Sequence, residues 1–473
     1  MSAMFRSLSV RNYRLWFIGA LVSNIGSWMQ ATTQNWVVLT DLTDNDALAV
    51  GATMALQFGP QLVLVPITGL IADRFDRRKI IMVTQSLLLL LGLALGLLLI
   101  FGHAELWHLY VFALLLGIVN AVDGPARQTF VSDLVDEHNM SNAVALNAAS
   151  FNAARMIGPA VSGLLIVVVG AGWVFILNAV TFVAMIVALT FIRTSELRAR
   201  PRAGRSRGQL AEGFRYVRGR PDLLVVFAVV FLIGAFGMNF PIFASTMAVE
   251  FGRGAGEYGL LSSILAIGSL TGALLAARRE RARLRVVILA SGGFGLAAIT
   301  ASLMPTFWTF GFSLILVGFA TVTMMTTANG YVQTTTEPTV RGRVMALYMA
   351  ILMGGTPIGA PIVGAVANAF GPRWALVVGG VAGLVASAVA LTWLIVAKDL
   401  RVRVAVGRPL ALRLEYKGKP RAVPSGVVPA DFSEQVALTS PIPLPLPSAN
   451  QRHAVASKRT PSTPSPAKRG ARR

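Results

Sequence analysis

Three groups of residues could do chemistry. Asp123 stands near the end of an apolar stretch with Arg127 four positions on, a spacing that puts both on one helical face. A carboxylate so placed could exchange a proton, or it could be a helix-end acid paired with Arg127. Arg155 is the one basic residue inside an apolar stretch. An unpaired charge there costs on the order of 2.5–3.5 kcal/mol, so a partner or a water cavity is required. Arg155 either faces a central pathway or the interface between two halves, helping switching or anion binding, or pairs with a nearby carbonyl or with Asn152. Ser23, Ser27, Gln30 and Gln34 recur at i, i+4, i+7 and i+11, one face of a helix, with Asn24 and Asn35 flanking it. Such a face lines a cavity or meets a partner helix.

No bond-making set accompanies them. His103, His108, His138 and His453 lack metal-ligand spacing. There is no G-x-x-x-x-G-K-[ST] loop for a nucleotide. The absence of cysteine removes disulfides, thiolate metal sites and thiol redox chemistry. The expectation is a chain with no catalytic residues, no metal and no cofactor, whose polar groups handle a ligand rather than transform it.

The elements that must position these groups are membrane helices. Of 473 residues, 55% are hydrophobic and 13% charged, and mean hydropathy is +0.65. A soluble chain carries roughly twice that charged fraction. Twelve apolar stretches can be read, running approximately Leu15–Leu39, Ala47–Ala72, Ile80–Phe101, Leu109–Val122, Ala143–Val169, Trp173–Ile192, Leu223–Val249, Tyr258–Ala277, Val286–Leu303, Phe307–Ala328, Val344–Phe370 and Trp374–Ala397. Lipid-facing backbone must satisfy its own hydrogen bonds, so these are helices. None alternates like a strand of a membrane barrel. The first lacks a cleavage site and is a true helix rather than a signal peptide.

The net charge of +21 supports this reading. If the spans alternate from a cytoplasmic N-terminus, 24 Lys and Arg fall on the inside before the tail, against Arg253 and Arg373 outside. That asymmetry places both termini in the cytoplasm. Nucleic acid is not needed to explain the charge.

Residues 1–192 form a first six-helix half and 222–397 a second, joined by a cytoplasmic middle loop, 193–221. Within that loop Gln209–Arg220 reads as a short amphipathic helix at the membrane surface. At a constant offset of 201, Ala145-Leu146, Ile157-Gly158, Gly163, Gly170 and Trp173 match Ala346-Leu347, Ile358-Gly359, Gly364, Gly371 and Trp374. This is the mark of duplicated halves. Residues 398–473 are basic and Pro-rich, and read as a disordered cytoplasmic tail whose start, Val402–Tyr416, could lie on anionic lipid.

The most specific stretch is Gly69-Leu-Ile-Ala-Asp73-Arg74-Phe-Asp76-Arg77-Arg78-Lys79, after the second span. It resembles the G-x-x-x-D-R-x-G/D-R-R-R/K loop of the major facilitator superfamily, at the same place. Gly69 permits close helix approach, Asp73 can meet a helix N-terminus of the other half, and Arg77 and Arg78 can pair with acids or lipid headgroups. The resemblance implies that Gly69, Asp73, Arg74, Arg77 and Arg78 form a conformational-switch loop. Asp123–Gln128, Arg155-Met-Ile-Gly158-Pro159-x-x-x-Gly163 and Glu212–Val217 are similar to the macrolide-efflux and enterobactin-exporter branch. Two motifs depart from the pattern. Gly117–Ala121 stands where antiporters carry Arg-x-x-Gln-Gly, and Ser162-Gly163 replaces a double glycine.

The fold implied is an all-α membrane protein of twelve transmembrane helices in two pseudo-symmetric halves. In that superfamily spans 1, 4, 7 and 10 line the pathway. The resemblance therefore nominates Ser23, Asn24, Ser27, Gln30, Gln34, Asn239, Thr326 and Asn329 for substrate, with helix packing as the competing explanation. Arg155, Gly158, Pro159, Gly163 and Gly359 would serve gating or packing, and Asp123 is the candidate proton site. The expectation is a secondary transporter of the bacterial inner membrane, working by alternating access. It would export a hydrophobic or amphipathic small molecule, such as a drug, macrolide or siderophore, by proton antiport. The partners expected are that substrate, protons and membrane lipid, with no nucleic acid and a monomeric state. A metabolite importer or facilitator, and a non-transporting receptor or scaffold, are the alternatives.

Overall fold

The computed structural model describes residues 3–198, 209–279, 282–398, 400–405 and 411–416. The first half contains α1 (Arg11–Trp36), α2 (Ala47–Arg74), α3 (Arg77–Ile100), α4 (Leu106–Leu134), α5 (Glu137–Val169) and α6 (Ala171–Thr190). A short helix, α7 (Gln209–Arg218), leads into the second half: α8 (Pro221–Leu232), α9 (Phe240–Glu250), α10 (Ala255–Ala277), α11 (Leu284–Ser302), α12 (Phe307–Thr335), α13 (Arg341–Phe370) and α14 (Pro372–Lys398). Among the described residues, eleven helices are long and apolar enough to cross a membrane. Helix α1 has the length but carries the polar stripe, which lowers its hydropathy. Its inclusion gives the twelve expected.

Helix starts follow the acids. Asp46 accepts from the backbone N–H of Leu48 and Ala49, Asp76 from Lys79, and Asp136 from Asn139. Each satisfies orphan donors and places a negative charge at the positive end of the helix dipole. Helices α5 and α13 end alike. Gly170 and Gly371, the repeat-related pair, hold φ of +87° and +96°, which side-chain-bearing residues rarely adopt. Large side chains such as Leu164, Val167, Leu289, Phe312 and Val396 remain exposed around the bundle, as lipid contact requires.

Two stretches depart from expectation. The seventh span is not continuous. A π-helical turn at Ile233–Gly237 separates α8 from α9, which restarts after Asn239. Helix α4 runs on past Val122 through Pro125 to Leu134, so Asp123 and Arg127 lie inside a helix rather than at its end.

The middle-loop helix docks on protein. Val217 is buried while Phe214 stays exposed. Glu212 pairs with Arg343 at the start of α13. Arg220 pairs with Asp222 at 2.8 Å, and Tyr331 of α12 donates to the same carboxylate at 3.0 Å. The hydrogen bond to Asp222 raises the Arg220 guanidinium above its ordinary range.

The tail forms a separate unit from Lys398. Leu400–Ala405 pairs antiparallel with Ala411–Tyr416. The alternation of apolar and basic residues there has the period of a strand. The Pro-rich remainder, 417–473, lies outside the described residues.

Candidate functional site

The bundle has two unlike ends. One carries the Arg74–Lys79 loop and the start of α13, and is called the basic face here. The other carries Asp41, Asp44 and Asp46. A cavity of about 1060 Å³ occupies the half of the bundle toward the basic face. Its walls come from α1 to α5 and α13. Asn24, Gln61, Asn120, Asn147 and Asn152 contribute amides, and Trp16, Phe151, Met349 and Met353 contribute aromatic and thioether surface. Gln128 and Val144 are exposed at its mouth.

Toward the acidic face the halves close on each other. Helix α2 packs along α13, and α5 along α10. A Cβ at Gly51 would collide with the carbonyl of Ala360, and one at Gly364 with that of Ala47. A Cβ at Gly163 would lie 2.7 Å from Ala255 O, too close for any side chain. Ser263 donates to Met156 O at 3.0 Å, and Trp36 stacks on Tyr258 with centroids 5.6 Å apart. The repeat-related positions Gly163 and Gly364 thus do the same work on the two sides of the seal.

The cavity wall holds a polar cluster that joins three helices. Asp123 is buried, with 6% of its surface exposed. Its Oδ1 accepts from Thr84 at 2.5 Å and Gln85 at 3.1 Å, and its Oδ2 meets Arg127 Nε at 2.8 Å. Arg127 also donates to Ser23 Oγ at 2.9 Å and Asn24 Oδ1 at 3.2 Å. Ser23 in turn donates to Gln85 Oε1 at 3.3 Å. A carboxylate and a guanidinium in a membrane core are tolerable when each is the other's counter-ion and the remaining donors are matched. Thr84 and Gln85 were not foreseen. Two adjacent polar residues in so apolar a span were the available signal.

The polar face of α1 divides. Asn24 and Ser27 line the cavity. Ser23 sits behind them in the Arg127 cluster. Gln30 accepts from Asn178 of α6 at 2.6 Å, and Gln34 donates to Gln57 of α2 at 3.3 Å, so both tie helices together deep in the bundle. Asn239 does not line the cavity either. It is fully buried at the break of the seventh span and donates to Ala235 O at 2.6 Å, filling a hydrogen bond that the irregular turn leaves open. Thr326 is exposed, and Asn329 accepts from Gln333 at 2.7 Å; neither reaches the cavity. The second half contributes mainly α13 to this cavity.

Arg155 lies over the ring of Trp28, 5.9 Å from its centroid. Asn152 donates to Ala148 O instead of pairing with it. Among the described residues Arg155 has no ion pair. The ring contact offsets part of its burial, about 0.5–2 kcal/mol. Gly158, one turn on, is where α1 crosses α5: a Cβ there would lie 2.5 Å from Trp28 Cβ. The carbonyl of Pro159 fits against Gly259 of α10, while Gly359 fits against the carbonyl of Ala235 in the broken span.

At the basic face Arg77 Nη1 reaches both oxygens of Asp133 at the end of α4, at 2.7 and 2.8 Å. Arg78 donates to Leu189 O at 2.8 Å and Thr190 O at 3.4 Å, capping the C-terminus of α6. Arg74 is exposed. The surroundings of Gly69 and the side chain of Asp73 lie outside what the structure describes. The two arginines therefore bind within their own half, clasping α3 to α4 and α6.

A family model described as transmembrane secretion effector matches residues 2–407. The chain belongs to this family of major facilitator transporters. It is 24% identical to a staphyloferrin A transporter of Staphylococcus aureus, over 76% of this chain and 90% of the relative. It is 27% identical to the multidrug efflux pump Tap of Mycolicibacterium fortuitum, over 74% and 88%. An enterobactin exporter of Shigella flexneri is 27% identical over 67% and 75%. A bacterial homologue of the human lysosomal transporter Spinster, solved in an inward-facing and unoccupied conformation, superposes with a TM-score of 0.63 at 16% identity, covering 81% of this chain and 97% of that one. The protein is thus a multi-pass membrane transporter of small molecules and not an enzyme.

Proposed function

We propose that this transporter exports an amphipathic organic molecule of the siderophore or drug type from the bacterial cytoplasm by alternating access, in exchange for protons. The cavity carries the reading: it is large enough for a drug-sized ligand, mixes amides with aromatic and Met surface, opens at the basic face and is sealed at the other. The excess of Lys and Arg at the basic face makes that face cytoplasmic, with both termini there, in the inner membrane. Cargo enters Asn24, Ser27 and their neighbours from the cytoplasm. The seal of α2 on α13 and α5 on α10 then opens while the basic face closes, and the Gly69, Asp73, Arg74, Arg77 and Arg78 loop latches the alternate state. Monomeric protein suffices for this cycle.

Asp123 is the proton site of the reading. Protonation removes the counter-charge of Arg127, which keeps its contacts with Ser23 and Asn24 on α1. The α1–α4 wall is then rebalanced when a proton binds and again when it leaves. The names of the relatives support export and an amphipathic cargo. The test is transport in proteoliposomes under an imposed pH gradient, with siderophore and multidrug substrates offered on the basic-face side. Gradient-driven movement of at least one, abolished by Asp123→Asn, is expected. Movement of such substrates that is indifferent to the gradient overturns proton coupling. Movement of none overturns export.

A further inference from the structure

We infer that the middle-loop helix α7 is a docking surface for anionic lipid of the basic-face leaflet: Phe214 seats among the upper acyl chains, and Arg215 and Arg218 hold the headgroup phosphates. Lipid contact on this face is independent of which way cargo moves.

Placement comes first. Gly213 and Val217, one turn apart, are the buried side of α7. A Cβ at Gly213 would stand 3.1 Å from Arg343 Cβ, so the helix backbone lies directly on the start of α13. The Tyr216 hydroxyl accepts from Arg220 at 3.2 Å and from the Glu337 N–H at 3.4 Å, which fixes the helix against the turn between α12 and α13. The opposite side then carries Phe214, 58% exposed, with Arg215 and Arg218 exposed on the same face. Helical spacing alone groups Phe214 with Val217. The fold commits Val217 to protein and leaves Phe214 pointing outward.

Charge selects the occupant. The Glu212 carboxylate is taken by Arg343, and the Arg220 guanidinium by Asp222. Arg215 and Arg218 have no ion pair among the described residues. The loop 193–221 holds nine Lys and Arg against two acids, so nothing else in its sequence neutralises them. The tail from 398 carries 15 Lys and Arg against four acids and is repelled by this face. A second copy would set its own Arg215 and Arg218 against these. An anionic membrane surface matches the charge and takes the ring as well.

Reach is the third argument. Helix α7 ends at Arg218, and the seventh span begins at Pro221. A helix tethered that closely to a span lies at headgroup level, where basic side chains gain from the negative leaflet and meet phosphate oxygens as charged donors.

The experiment uses the full chain, which has no native cysteine, carrying bimane on Phe214→Cys in nanodiscs of phosphatidylglycerol and phosphatidylcholine. Bromine is placed high on the acyl chains of one lipid or the other. The expected result is quenching by brominated phosphatidylglycerol beyond its mole fraction. Arg215→Gln and Arg218→Gln should each lower that preference by roughly fivefold, the scale of one basic residue at an anionic surface. Arg215→Lys with Arg218→Lys should keep it. Absence of quenching by either lipid would mean that the face looks into water, and overturns the docking surface. Quenching by both lipids in proportion to their mole fractions overturns the recognition of anionic headgroups. An undiminished preference in the double Gln variant, in protein that remains monodisperse, overturns the role of the two arginines.

Discussion

Asn368 of α13 caps the N-terminus of α2 in the other half: its Oδ1 accepts from the Ala47 N–H at 2.8 Å and its Nδ2 donates to Asp46 Oδ1 at 2.6 Å. A helix cap is normally supplied by the helix's own preceding residue. Here Asp46 does that too, and Asn368 adds a second partner from across the seal. Both bonds must break whenever the acidic-face ends of the halves separate.

Asn368→Ala removes both bonds while leaving each half intact. Loss of a cap costs about 0.5–2 kcal/mol, so the sealed state should lose population by a factor of roughly 2 to 30. Spin labels at Leu48→Cys and Phe370→Cys, in a chain that contains no native cysteine, should show a longer-distance population rising in the variant.

Asp123 and Arg127 should be far more sensitive singly than together. Removing one partner of a buried ion pair costs about 3–5 kcal/mol because the other charge is stranded. Thermal unfolding should therefore place Arg127→Gln well below the native chain, with the double variant Asp123→Asn/Arg127→Gln recovering part of the loss. The Asp123→Asn chain should still exchange substrate between equal concentrations but lose movement driven by a pH gradient.

Glycines at two kinds of interface should behave differently. Gly359 meets the carbonyl of Ala235 within one half, so Gly359→Ala should lower thermal stability by about 1–3 kcal/mol through overpacking. Gly51 meets Ala360 across the halves. Gly51→Ala should leave unfolding nearly unchanged and disfavour the sealed state, read as slower thiol labelling of Asn147→Cys from the basic face.

The basic-face clasp is worth less than the buried pair but is measurable. Arg77 and Asp133 are 21% and 14% exposed and share a two-oxygen contact. A double-mutant cycle with Arg77→Ala and Asp133→Ala should give a coupling of about 1 kcal/mol, weakened by salt.

Much of the fold was legible because membrane helices announce themselves by length and hydropathy, and because Gly170 and Gly371 stand at one fixed offset in the chain. The site was legible in part. Periodicity identified the face shared by Ser23, Ser27, Gln30 and Gln34, yet a face names no neighbour. Only the packed structure separates Gln30, held by Asn178, from Asn24, which meets the cavity. Asn239 misled for a physical reason: its amide replaces a backbone hydrogen bond at the broken seventh span, a break that an unbroken apolar run conceals. Asn368 stands near the end of an ordinary helix, and nothing in its local sequence points to a partner 321 positions away.

The central claim is that the seal between the halves opens in every transport cycle. The most direct test places cysteines at Asp46 and Asn368, joins them with a short thiol-cleavable cross-linker, and measures transport before and after cleavage. Alternating access predicts that the cross-linked chain stops moving substrate and regains its rate when the linker is cut. A fully cross-linked chain that transports at the uncross-linked rate would contradict it.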